Sequence, residues 1–326
     1  MVPSIDVSGW VWTAFLSFIA LLLALDLGVF QRRAHQPRFR EALMLTTFWV
    51  LLAISFNIWI YFQFGSEKAL EFLAGYVVEQ SLSVDNIFVF IIIFEYFRVQ
   101  PQYQHRVLFY GILGAIIMRG IFIFLGVELI HRFSWVLYLF GILLIIAGAR
   151  MLKKEAGEVE LEKNFVLRMT RKFIRTTSRY HEQSFIVREG GKLFATPLLT
   201  VLILIEMSDV VFALDSLPAV FGITTDPFIV FTSNIFAILG LRSLFSVLSK
   251  GLAKLEYLRY GLAAVLIFVG LKLLLGEVYK IPTGISLLVI VLLLGTTIGF
   301  SVAVAAKRRR SVPVEAAAAN TAMPKE

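Results

Sequence analysis

The 326-residue sequence predicts an all-α polytopic membrane protein of about nine transmembrane helices, six of them forming an inverted 3+3 repeat. Three observations predict it. The composition is 58% hydrophobic and 17% charged, with a mean hydropathy of +0.81, whereas a soluble globular chain is nearer half apolar and about a quarter charged. Nine apolar stretches reach the roughly 20 residues that cross a hydrocarbon core. The third to fifth of these stretches match the sixth to eighth, with polar residues recurring at matched spacing.

The nine stretches run over about 10–30, 41–63, 70–97, 106–126, 134–152, 194–220, 228–249, 257–276 and 282–305. They do not alternate as the strands of a membrane β-barrel do. The start, MVPSIDVSGW, has no basic segment before the first stretch, so that stretch is expected to be retained rather than cleaved as a signal peptide. Cysteine is absent, which excludes disulfides, a thiolate nucleophile and Cys metal ligation. The net charge of +8 follows topology and not nucleic acid. Of 31 Lys and Arg, only Lys68, Arg132 and Lys280 fall on the side opposite the basic loops, and Arg119, Arg242 and Lys272 fall within spans. The basic loops therefore face the cytoplasm, the N-terminus lies outside the inner membrane and the C-terminus inside.

The repeat pairs DNIFVF (85–90) with DVVFAL (209–214), GILGAIIMRGIF (111–122) with NIFAILGLRSLF (234–245), and YLFGILLIIAGARML (138–152) with YGLAAVLIFVGLKLL (260–274). Asp85 is thereby equivalent to Asp209, Arg119 to Arg242 and Gly148 to Gly270. The third and sixth spans run in opposite directions, so the halves are inverted, as in many secondary transporters. The expected organisation is an outer N-terminus with two helices (1–69), a first three-helix repeat (70–152), a cytoplasmic linker (153–193), a second repeat (194–276), and a last helix with a disordered tail (277–326). Within the linker, NFVLRMTRKFIRTT has the pattern of a basic amphipathic helix, and SFIVREGGKLFATP that of a hairpin turning at Gly190–Gly191, although a solvated connector accounts for both.

Carboxylates inside the spans define the candidate site. Glu79, Asp85, Glu206, Asp209 and, further out, Asp215 stand where a lone charge costs about 2.5–3.5 kcal/mol. They must meet each other, a cation, water or the arginines Arg119 and Arg242, which are expected to be counter-ions. Oxygen-rich, thiol-free sites suit hard divalent cations. No His lies in a core span, which disfavours zinc or copper. Met207 is a candidate thioether ligand, though Met in an apolar helix is more often filler. Asp26 either snorkels or adds a carboxylate at the inner mouth, and Asn234 either packs or contributes to the site. Pro218 is expected to unwind the sixth span near its outer end.

EQSLSVDNIFVF (79–90) and IEMSDVVFALDSLPAVFGITTDPFIVFTSNIFAILGLRSLF (205–245) resemble the two signature segments of the TerC/Alx family of bacterial membrane proteins. ALDLGVFQRRAH in the first span and YGLAAVLIFVGLKLL in the eighth add to the resemblance, which extends over nearly all of 10–305 and is nearest the Alx branch. The family is grouped with LysE-type exporters on an inverted repeat, and its members are linked to manganese export, pH response and tellurite resistance. The resemblance implies metal-site positions at Glu79, Asp85, Asn86, Glu206, Asp209 and Asp215. It implies Mn²⁺ as the transported ion and export as the direction. Exchange for inward protons is expected from the clustered carboxylates themselves, which can alternate between metal and proton, with other divalent cations as further partners and no resident cofactor. Two other readings stand beside a transporter. One is an intramembrane aspartyl protease, although neither Asp85 nor Asp209 has the G-x-G-D context. The other is a membrane scaffold of a stress-resistance complex.

Overall fold

A computed structural model of the chain describes residues 7–25, 39–153, 184–189, 192–251, 257–276, 278–279 and 281–311. Its elements are α1 (Gly9–Leu25), α2 (Phe39–Phe64), α3 (Ser66–Tyr96), α4 (Pro101–Arg132), α5 (Val136–Lys153), β1 (Ile186–Glu189), β2 (Lys192–Ala195), α6 (Pro197–Phe221), α7 (Pro227–Gly251), α8 (Leu258–Leu275) and α9 (Thr283–Ser311). The helices α2 to α9 are long and apolar enough to cross a membrane, and α1 is a shorter apolar helix of 17 residues. The protein is thus an all-helical, multi-pass membrane protein. Asp26, the amphipathic stretch 164–177, Gly190–Gly191 and the tail beyond 311 lie outside the described residues.

Local chemistry sets the helix ends. Proline opens α4, α6 and α7 at Pro101, Pro197 and Pro227, where a missing N–H breaks no helical bond. α2 and α3 are separated by Gly65 alone, whose φ of 89° is a left-handed value that a side chain would strain. Serine and threonine inside the spans satisfy their hydroxyls on their own helix, as Thr46 does on the Ala42 carbonyl and Thr232 on that of Phe228. The expected break at Pro218 does not occur. α6 continues to Phe221, because Pro218 stands in its last turn, where the Gly222 N–H still reaches the Pro218 carbonyl at 3.0 Å. The strands β1 and β2 pair antiparallel, with Glu189 opposite Lys192, so at 186–189 and 192–195 the hairpin pattern holds rather than the solvated connector that the sequence reading preferred.

α7 is the axis of the bundle. In the apolar 18-residue stretch within its span 89% of residues are buried, against 17% in those of α2 and α9 at the periphery. Around its first turns the aromatic rings of Trp12, Phe15, Phe56, Phe228, Phe231 and Phe236 interlock edge to face or tilted. α5 and α8 meet antiparallel through small residues. A Cβ on Gly141 would lie 2.9 Å from the Gly270 carbonyl, one on Gly270 2.7 Å from that of Gly141, and one on Gly148 2.7 Å from that of Ala263. In a bilayer, such close backbone approach replaces the hydrophobic drive that water would supply.

This seam predicts an asymmetry between two glycines. Gly270→Leu forces α5 from α8, and overpacking of this kind costs about 1–3 kcal/mol. Gly295→Leu on α9 meets open space. Thermal unfolding in detergent should show a lowered melting temperature for the first substitution and none for the second.

Candidate functional site

Glu79 and Asp209 stand near the midpoints of α3 and α6, and Arg119 of α4 lies between them, 1% exposed. Its Nη1 donates to Glu79 Oε1 and, at 2.9 Å, to Oδ1 of Asn234 on α7. Nε and Nη2 form a fork on Asp209, at 3.5 Å from Oδ2 and 3.2 Å from Oδ1. One guanidinium thus ties four helices together. Asn234 is fully buried, and its own amide donates to the Val230 carbonyl at 3.0 Å, which turns Oδ1 toward the arginine.

The charges do not balance locally. Two carboxylates face one guanidinium, and buried ions persist only when paired and hydrogen-bonded. Among the described residues Glu79 Oε2 has no hydrogen-bond partner, nor has Ser83 Oγ one turn further along α3, and both residues are at most 1% exposed. A cavity of about 10 Å³ adjoins the guanidinium, a size that admits one water molecule. Asn86, Arg119 and Asp209 supply its polar wall, and Phe90, Ile112 and Ile238 are part of its apolar one.

The other sequence candidates are placed as follows. Asn86 is 4% exposed and reaches the cavity, whereas its neighbour Asp85 is half-buried. Glu206 lays its carboxylate against Gly114 of α4, where any Cβ would collide with it. Met207 and Asp215 lie on the exposed face of α6, with Met207 42% exposed. Arg242 is half-buried on α7. Ser81 and Ser208 serve their own helices through the carbonyls of Val77 and Leu204. Among the described residues, no three His, Cys, Asp or Glu side chains converge as a metal-holding group. The acids meet through Arg119 instead.

A second ionic cluster escaped the sequence reading. Lys68 is not a loop residue but sits 7% exposed in the first turn of α3. Its Nζ lies 3.0 Å from Glu71 Oε2 and 3.6 Å from Asp226 Oδ2. Thr224 donates to the same Glu71 oxygen at 2.7 Å. Asp226 also caps α7, with Oδ1 accepting from the Phe228 and Ile229 N–H groups at 3.0 and 3.2 Å. The Asp226–Pro227 pair is a helix-start signal that could have placed Asp226. Nothing local marks its pairing with Lys68, 158 residues away.

Fold and site together define a class: a multi-pass helical membrane protein whose mid-bundle acids are held by a buried arginine. Within that class, the integral membrane protein TerC family matches residues 64–311, and the chain belongs to that family. It is 49% identical over 296 residues to an uncharacterized membrane protein of Myxococcus xanthus, covering 91% of this chain and 92% of that one. It is 44% identical over 285 residues to the putative membrane-bound redox modulator Alx of Escherichia coli K12, covering 85% and 89%. The protein of that name in Photorhabdus laumondii is 44% identical over 296 residues, covering 88% and 92%. No solved structure matches.

Two outcomes follow for stability. Arg119→Met leaves Glu79 and Asp209 buried without their cation, a loss of about 3–5 kcal/mol. Adding Glu79→Met and Asp209→Leu should restore most of the lost melting temperature, a strong departure from additivity. In the second cluster, Asp226→Asn keeps the capping oxygen and loses only the ion pair, whereas Asp226→Ala loses both. The alanine variant should unfold at the lower temperature, the cap accounting for about 1 kcal/mol of the difference.

Proposed function

We propose that the protein is a secondary transporter that exports Mn²⁺ from the cytoplasm across the bacterial inner membrane, in exchange for protons. The observation that carries this reading is the pair of mid-bundle acids that share one cation. Glu79 and Asp209 lie deep in their spans on a single guanidinium, Asp209 and Asn86 border the cavity beside it, and Glu79 Oε2 and Ser83 Oγ are buried without a partner among the described residues. Anionic and neutral oxygens of this kind suit a hard divalent cation that has shed its water. The resemblance to the TerC/Alx family supplies the metal and the direction.

Architecture supports the same reading. Under the proposed inverted repeat, Gly141 is equivalent to Ala263 and Gly148 to Gly270. The contact of Gly141 with Gly270 then has as its image the contact of Ala263 with Gly148, and both occur. A pseudo-two-fold axis between α5 and α8 requires that exchange, and inverted-repeat transporters bind their cargo where the halves meet. With the basic loops in the cytoplasm, α3 and α7 begin at the outer surface, and the Lys68–Glu71–Asp226 cluster joins them there.

Energetics constrain the coupling. Moving two charges out against ~100 mV costs about 4.6 kcal/mol. The chain has no G-x-x-x-x-G-K-[ST] nucleotide loop, so protons are the natural source. Carboxylates that release a metal can take up a proton in its place. The relatives' designation as redox modulators is compatible with this. The chain has no cysteine and hence no thiol–disulfide chemistry of its own, so a redox effect would follow from the ions it moves.

Everted membrane vesicles containing the protein should accumulate Mn²⁺, faster with an acid interior at clamped membrane potential. Folded Asp85→Asn and Asp209→Asn variants should accumulate no more than vesicles lacking the protein. Normal uptake by both would show that these acids are structural, and uptake indifferent to the pH gradient would remove the proton coupling.

A further inference from the structure

We infer that Arg119 is an internal competitor of the cargo: in the unloaded carrier its guanidinium occupies the Glu79 and Asp209 oxygens that a divalent cation must take, and each ion bound displaces it. The inference rests on the cation-transport reading above.

Space is the first reason. The cavity beside the guanidinium, about 10 Å³, admits one water. A hard divalent ion needs six or more oxygens in a shell at about 2.0–2.6 Å. That shell can be assembled around Glu79 and Asp209 only in the volume the guanidinium now fills. Ion and arginine therefore exclude each other.

The second reason is the unevenness of the grip. The fork on Asp209 is long, at 3.2 and 3.5 Å, where tight charge-assisted bonds measure about 2.7–2.9 Å. The bond to Asn234 is 2.9 Å, and its acceptor is a neutral amide locked in orientation by the Val230 carbonyl. Asp209 is held loosely, while Asn234 offers the guanidinium a place to remain once the carboxylates are taken. A neutral acceptor suits that purpose, because it gives up no charge that the ion would use.

Charge is the third. One guanidinium compensates only one of the two acids, and Glu79 Oε2 and Ser83 Oγ stay buried without partners. An ion of two charges matches both acids and has oxygens waiting for it. The single charge of Arg119 keeps Glu79 and Asp209 from standing in the bilayer as a bare pair of anions, but it leaves one negative charge over. A purely structural arginine would support ion binding, and its removal would weaken it. A competitor has the opposite sign.

The test measures MnCl₂ binding to the purified full chain in detergent by titration calorimetry, alongside Mn²⁺ flux in proteoliposomes. Arg119→Gln should bind Mn²⁺ at least about tenfold more tightly than the wild type, yet transport it more slowly, because release now lacks its competitor. Arg119→Lys, with one ammonium in place of the fork, should fall between the two in affinity, and it carries the same sign if the glutamine variant cannot be recovered folded. Asp209→Asn should lose binding. Equal or weaker binding by both Arg119 variants, with binding still lost in Asp209→Asn, overturns the competition and leaves the cation site standing. An absence of saturable Mn²⁺ binding in the wild type and in both folded Arg119 variants overturns the competition and the cation site together.

Discussion

One buried guanidinium sets the terms for the middle of this protein. Helices in a bilayer gain no hydrophobic free energy by leaving lipid for one another, so their registers depend on close packing and on polar contacts. Arg119 supplies the polar contact for four helices at once, meeting Glu79 on α3, Asp209 on α6 and Asn234 on α7 from its own place on α4. Each partner is buried. Breaking a buried pair costs about 3–5 kcal/mol, against a total stability on the order of 5–15 kcal/mol for a domain. The geometry of the site and the stability of the fold are therefore the same interaction seen twice.

The seam between α3 and α7 shows how that interaction is supported. The two helices run parallel and meet at three levels. Lys68 pairs with Asp226 at their first turns, Gly75 lets Ser233 approach so that a Cβ there would be 2.9 Å from the hydroxyl, and Glu79 and Asn234 share Arg119 below. The upper cluster also satisfies the N-terminal donors of α7 through Asp226. α7 is thereby held at its start by ions and along its length by aromatic packing. Ion pair, close approach and shared guanidinium together fix the register of α3 against α7 at the level of the site.

Small residues do for α5 and α8 what charges do for α3 and α7. Backbone touches backbone at Gly141, Gly148 and Gly270, which holds α5 and α8 in close contact. α2 and α9 present most of their surface outward. Polar chemistry and tight packing are thus concentrated in the segments from α3 to α8. Those segments lie within residues 64–311, the reach of the TerC family match.

Much of this was legible in the sequence, because its causes are local. Apolar length marks a span wherever it occurs: among the described residues each of the nine predicted stretches carries a helix, eight of them long and apolar enough to cross a membrane and the first only 17 residues long. The cost of an intramembrane charge marks Glu79, Asp209 and Arg119 as residues that must find partners. Asp226–Pro227 and Pro197 announce helix starts by backbone chemistry alone. What the sequence could not determine is which partner each residue finds. That Arg119 takes Glu79 and Asp209, that Asn234 completes the set, that Lys68 turns inward, and that Met207 and Asp215 stay on the exposed face all depend on the rotation and depth of one helix against another. Those degrees of freedom are settled by contacts between residues 40 to 158 positions apart, and only the assembled bundle brings them together.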